Sequence, residues 1–128
     1  MIYVDSSVAL SQLMFKSRSL PGALWEQPLV SSRLLAYEVW NRIHAYGLTA
    51  TRCDDALALL ALVNLVELSE PALTRALQPF PVRIRTLDAL HLATIEFLRR
   101  QGQTVELATY DDRLVAAAEA VGIPVAAV

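Results

Sequence analysis

Cysteine is almost absent from this 128-residue chain, where Cys53 stands alone. A single thiol excludes an internal disulfide framework and any cysteine-built zinc site. A thiol nucleophile at Cys53 is disfavoured as well, because no histidine or base is placed to activate it. Lysine is just as scarce: Lys16 is the only one among 11 basic residues, and the rest are arginine. With 13 acids the net charge is −2, which argues against a broadly basic face but leaves room for a local basic cluster. No long hydrophobic run is present. The longest, residues 56–63, falls far short of the roughly 20 residues that cross a bilayer. The chain opens directly on a short apolar run, with no basic segment leading into a hydrophobic one. The expectation is a soluble, cytoplasmic protein with no membrane association.

Apolar residues, by contrast, are plentiful at 55%, somewhat above the roughly 45–50% of soluble domains. The excess suits either a deeply buried helical layer or an apolar surface covered by a partner. The length fits one domain over residues 1–128, long enough to bury a core without covalent staples. No linker or internal repeat divides it.

Short apolar runs alternate with longer stretches of helical period. Strands are expected at residues 2–4, 29–30, 66–68 and 106–108, with a final edge strand over 124–128. Between them, helices are expected from Ser6 or Ser7 to about Phe15, from Ser31 or Ser32 to Tyr46, and from Thr49 or Thr51 to Val63. Three more are expected over 71–77, from a Thr86 cap to Gln101, and over 112–121. Gly47 and Gly102 close two of these. Residues 17–28, with Pro21, Gly22 and Pro28, read as a loop, and Pro79 and Pro81 hold another extended. Alternating strands and helices imply an α/β fold with three layers, α/β/α, around a mainly parallel sheet of four to five strands.

Four acids stand in settings that a lone carboxylate does not explain: Asp5, Glu38, Asp88 and Asp111. Asp5 and Asp111 follow apolar runs, so both emerge at the carboxyl ends of strands, where open α/β sheets place their ligand crevice. Glu38 flanks the apolar stripe of Leu35, Val39, Ile43 and Tyr46. Asp88 sits in a first helical turn. Each has a plainer explanation. Asp5 could cap the next helix, although Ser6 and Ser7 are also there to do so. Glu38 could pair with Arg42 at i+4, and Asp88 could simply complement the helix dipole. Carboxylates gathered in one pocket repel one another, and a hard divalent cation is the usual remedy. The set therefore points to a metal-dependent phosphotransferase or nuclease.

The same residues carry a family resemblance. Asp5 in D-S-S, Glu38 in an early helix, Asp88 in L-D-A-L-H-L-A and Asp111 in T-x-D-x-R-L resemble the PIN-domain ribonucleases. The closest match is to the VapC-type toxins of bacterial toxin–antitoxin pairs. The resemblance spans essentially the whole chain, and its strength lies in the ordered set rather than in any one piece. It implies a PIN-like fold and a metal-dependent endoribonuclease, with Asp5, Glu38, Asp88 and Asp111 holding Mg²⁺ or Mn²⁺. It assigns Asp111 rather than Asp112 to the site, with Asp112 as the substitute. One ion or two remains open at this point.

Ser6, Thr109 and Asp112 are supporting candidates, Thr109 for a hydrogen bond to a metal water or phosphate. Arg33, Arg83, Arg85 and Arg113 flank the motifs and are candidates for RNA phosphates, against the plainer reading of solvated surface. With no aromatic–basic recognition motif, single-stranded or looped RNA is the expected substrate. His91 is expected to be packed or hydrogen-bonded, with orientation of a carboxylate as its alternative role. The resemblance also implies a small cognate antitoxin. The apolar excess suggests a homodimer, with the helix of Tyr37 and Trp40 as a candidate surface.

Competing readings are a catalytically silent PIN-like binding or scaffold module, or a different metal-dependent phosphohydrolase. A haloacid-dehalogenase type needs Asp-x-Asp, but residue 7 is serine, and a response-regulator receiver needs a late lysine that this chain lacks.

Overall fold

Ile2–Val4 (β1), Leu29–Ser32 (β2), Val63–Val66 (β3) and Glu106–Ala108 (β4) form one sheet in the computed structural model, which describes residues 1–15 and 21–128. The strand order is β3-β2-β1-β4, and every pairing is parallel. Parallel strands require crossovers, and helices supply them. Ser6–Leu10 (α1) runs on into a π-helical stretch, Ser11–Phe15. Gly22–Trp25 (α2), Leu34–Ala45 (α3), Thr49–Ala61 (α4), Glu70–Ala76 (α5), Thr86–Arg100 (α6) and Asp112–Ala120 (α7) follow.

Side chains alternate across a strand, so the three residues of β1 serve two cores. Ile2 and Val4 face Val8, Leu35, Val39, Ile43 and Leu59 from α1, α3 and α4. Tyr3 faces the other way, toward Leu92 and Ile95 of α6 and Leu114 and Ala117 of α7. This is the expected three-layer α/β/α arrangement. Among the described residues no helix is long and apolar enough to cross a membrane.

Several boundaries differ from expectation. The third strand is 63–66 rather than 66–68, because the apolar run of 56–63 does not end with α4 but continues into the sheet, where Val63 pairs with Leu29. The final edge strand reduces to one bridge, Leu107 to Val125. Within the loop expected over 17–28, residues 21–28 include the short helix α2, while 17–20 lie outside the described residues. Capping was the weakest expectation. Asp5, not Ser6 or Ser7, caps α1, its carboxylate accepting from the Ser7 amide. Arg85 rather than Thr86 takes the cap position of α6, with no side-chain bond. Arg33 occupies that position in α3, although Ser32 Oγ accepts from the Leu34 amide at 3.2 Å. Gly47 and Gly102 do close α3 and α6, at φ of 66° and 90°, a left-handed conformation that a side chain would strain.

Candidate active site

The register of β1 and β4 builds the centre of the site. Val4 pairs with Ala108 and the Asp5 amide donates to the Ala108 carbonyl at 3.1 Å, so Asp5 and Thr109 leave the sheet side by side. Asp5 is buried, and its Oδ2 accepts from Ser7 N at 3.3 Å, Ser7 Oγ at 2.6 Å and Thr109 Oγ1 at 2.7 Å. Both hydroxyl protons thus go to one carboxylate oxygen. Their lone pairs take up backbone amides in turn: Ser7 Oγ from Tyr110 at 2.9 Å, Thr109 Oγ1 from Asp111 at 3.0 Å. The loop carrying Asp111 is tied to Asp5 by these bonds. Asp111 Oδ1 then caps α7 through the Arg113 amide at 2.9 Å.

Glu38 comes from α3 in the opposite layer and makes no ion pair with Arg42. Its Oε2 accepts from Ser6 Oγ at 2.9 Å, and its Oε1 meets His91 Nε2 at 2.5 Å. Asp88, three residues before His91 on α6, is half-buried. Its pKa is raised first by burial and then by the charges of Asp5 and Asp111, with Glu38 adding to the rise. Carboxylates from the end of β1, from α3 and from the β4–α7 turn therefore all act on Asp88 of α6.

Asp112 is exposed in the first turn of α7, beside the half-buried Asp111. Thr109, expected to reach a metal water or phosphate, instead directs its proton to Asp5. Ser7 and Tyr3 were not singled out for the site. Ser7 was legible only as a helix cap. Tyr3 had one signal, a phenol in the middle of a buried strand, since a buried hydroxyl requires a partner.

Arg83, Arg85 and Arg113 line one hollow with Asp88, and among the described residues none of the three forms an ion pair. Arg33 is elsewhere, paired with Glu67 at 2.8 Å in a hollow shared with Tyr37. Tyr37 is 73% exposed, whereas Trp40 packs on the core and stacks on His44. A separate hollow lies at the amino end of β4, around Arg75, Phe80 and Arg99, and contains none of the four acids. Arg75 there is already engaged, bonded to Glu96 at 2.8 Å and set 4.0 Å over the Phe80 ring.

The four acids offer only oxygen donors, the set that hard Mg²⁺ or Mn²⁺ accepts. Among the described residues no three His, Cys, Asp or Glu side chains are gathered closely enough to hold a metal by themselves. That spacing still suits Mg²⁺, which keeps several waters and takes only one or two carboxylates directly.

A family model for the PIN domain matches residues 2–120. A protein named Ribonuclease VapC46, from Mycobacterium tuberculosis (strain ATCC 25618 / H37Rv), is 36% identical over 98% of this chain and 96% of its own length. Ribonuclease VapC47, from Mycobacterium tuberculosis (strain CDC 1551 / Oshkosh), is 27% identical over 95% of this chain and 93% of its own. The chain belongs to the PIN domain family. Within that family it is similar to the VapC ribonucleases along nearly its whole length.

Proposed function

We propose that this chain, as one unit over residues 1–128, is a VapC-type toxin that cleaves RNA phosphodiester bonds with Mg²⁺ or Mn²⁺ held by Asp5, Glu38, Asp88 and Asp111. The observation that carries this is the placement of Asp88 where the charges of Asp5, Asp111 and Glu38 all reach it, in a chain similar to ribonucleases along nearly its whole length. A fold that crowds carboxylates with no described ion pair from Lys or Arg leaves their charge for a cation to neutralise. A divalent ion held there would supply Lewis-acid charge at the phosphate and favour deprotonation of a water nucleophile. Asp5, fixed by two hydroxyls and an amide, presents its carboxylate without reorganisation. Glu38 accepts from Ser6, and Asp88 completes the negative pocket from α6. The test is divalent-metal titration of the purified chain followed by RNA cleavage. Cleavage that persists unchanged in chelator defeats the reading, as does metal binding without any cleavage of single-stranded RNA.

Asp111→Asn is expected to weaken Mn²⁺ binding and cleavage substantially, while Asp112→Asn changes both little. Asp111 acts electrostatically on Asp88, whereas Asp112 is exposed to solvent. Calorimetric titration of the two variants ranks them, and the reverse order would hand the fourth ligand to Asp112.

Arg83, Arg85 and Arg113 hold the RNA backbone beside Asp88. Replacing any one with Ala should weaken binding alike for all RNA sequences and flatten the log–log salt dependence by about 0.7 per lost phosphate contact. Arg33, held by Glu67, should change that slope less. Salt-dependent fluorescence anisotropy measures it, and unchanged slopes in all three variants would assign those arginines to solvated surface. Such a substrate places the site of action in the cytoplasm. The chain is also proposed to form a homodimer, with exposed Tyr37 on α3 as one contact. A monomer mass in light scattering at every concentration would exclude it.

A further inference from the structure

The hydrogen bonds of Glu38 continue inward to two buried residues that the proposed chemistry does not use. His91 and Tyr3 are 1% and 0% exposed. The Tyr3 hydroxyl lies 2.6 Å from His91 Nδ1, and the Tyr3 ring meets the imidazole edge-on at 5.6 Å. The Ser32 amide donates to the same hydroxyl at 3.2 Å. We infer that Tyr3 and His91 are positioning residues, which hold His91 as the Nε2–H tautomer and thereby aim the Glu38 carboxylate into the acid site. This rests on Glu38 belonging to that site.

The donor assignment follows from counting protons. An ionised carboxylate only accepts, so His91 Nε2 must carry the proton that it gives to Glu38 Oε1. A neutral imidazole then leaves Nδ1 as an acceptor. Tyr3 Oη already accepts from Ser32, so its single proton is free for Nδ1. Ser32 N–H, Tyr3 O–H and His91 Nε2–H thus point one after another toward Glu38, and Ser6 secures its other oxygen.

The layers explain why position is at stake. Tyr3 and α6 belong to one face of the sheet, Glu38 and α3 to the other. His91 spans the two at the sheet's end. It shares α6 with Asp88, so its bond to Glu38 sets the separation between two of the four acids. Plain packing needs no such bond: a buried polar pair gains nothing over apolar side chains of similar size unless every atom is satisfied. Here the chain of donors ends on a carboxylate at the rim of the site.

Ring-nitrogen NMR of the metal-free, RNA-free protein reads the tautomer directly. Protonated Nε2 and bare Nδ1 are expected, and the opposite tautomer overturns the inference. In Tyr3→Phe, which removes one oxygen and keeps the ring, Glu38 still holds the Nε2 proton, and the Nδ1 resonance should move as its hydrogen bond from the phenol is lost. An Nδ1 resonance unchanged in that variant removes Tyr3 from the assignment. Mn²⁺ calorimetry then separates positioning from packing. His91→Leu should lose about ten- to a hundredfold in affinity, the usual effect of deleting a residue that orients a metal ligand. His91→Gln, whose amide can still donate to Glu38, should recover most of it. Wild-type affinity in His91→Leu, or equal losses in both variants, overturns the positioning role. The tautomer is read without RNA, so a failure to cleave RNA counts against the proposed activity and not against this pair.

Discussion

Asp5→Asn and Asp88→Asn are each expected to lower RNA cleavage by about a thousandfold or more, with the fold intact. Losing the charge that holds a catalytic cation removes several kcal/mol of transition-state stabilisation, and about 4 kcal/mol corresponds to that factor. Initial rates on labelled RNA in saturating Mg²⁺ measure it; a wild-type rate in either variant would remove that residue from the proposed chemistry. Stability should move in the opposite direction at Asp88. Its folded-state pKa is raised above the ordinary 3.8 by burial and by neighbouring carboxylates. A raised value means the folded protein holds that proton more tightly than the unfolded chain. The associated stability is fully present below pH 3.8 and is lost as pH rises through the folded-state value. At neutral pH in chelator, Asp88→Asn should therefore melt higher than wild type, and the difference should vanish below the ordinary carboxylate range. Equal melting temperatures at neutral pH would show that the repulsion has no thermodynamic weight.

We propose a small cognate antitoxin as the partner of this chain, and co-expression with it is expected to yield a complex with no cleavage activity. The surface next to the acid site supports that expectation. Leu73, Leu77 and Leu90 line an apolar hollow that shares Ile84 and Arg85 with the hollow containing Asp88. Leu77 is 88% exposed. An amphipathic peptide could lay its apolar side there and direct an arginine into the carboxylates, a charge-assisted contact that competes with the metal. Limited proteolysis of the peptide should then restore cleavage. Full activity in the intact complex would refute inhibition by occupation of the site.

How much of this was legible in the sequence differs from residue to residue. Asp5 and Asp111 could be placed at strand ends because β1 and β4 are bounded by obvious apolar runs. Glu38 and Asp88 could be placed on helices from their periodicity. Their mutual influence could not, since it depends on α3 and α6 packing on opposite faces of the sheet. The third strand was misplaced because leucine and valine suit both the end of α4 and the start of β3. Caps depend on backbone dihedral angles, and the serines and threonine expected to cap α1, α3 and α6 were overtaken by Asp5, Arg33 and Arg85.

Arginine showed the same limit. Four flanked the motifs, and only packing grouped Arg83, Arg85 and Arg113 around Asp88 while joining Arg33 to Glu67. Likewise, no spacing rule connects Tyr3 to His91 across 88 positions. Local pattern determined the elements, the alternation that makes an α/β/α sandwich, and the chemical type of the four acids, because periodicity and charge are properties of neighbours in the chain. Tertiary structure alone decided which donor each carboxylate receives and which charges it feels, because hydrogen bonds and Coulomb interactions depend on distances in space that only the packed sheet and its two helical layers create.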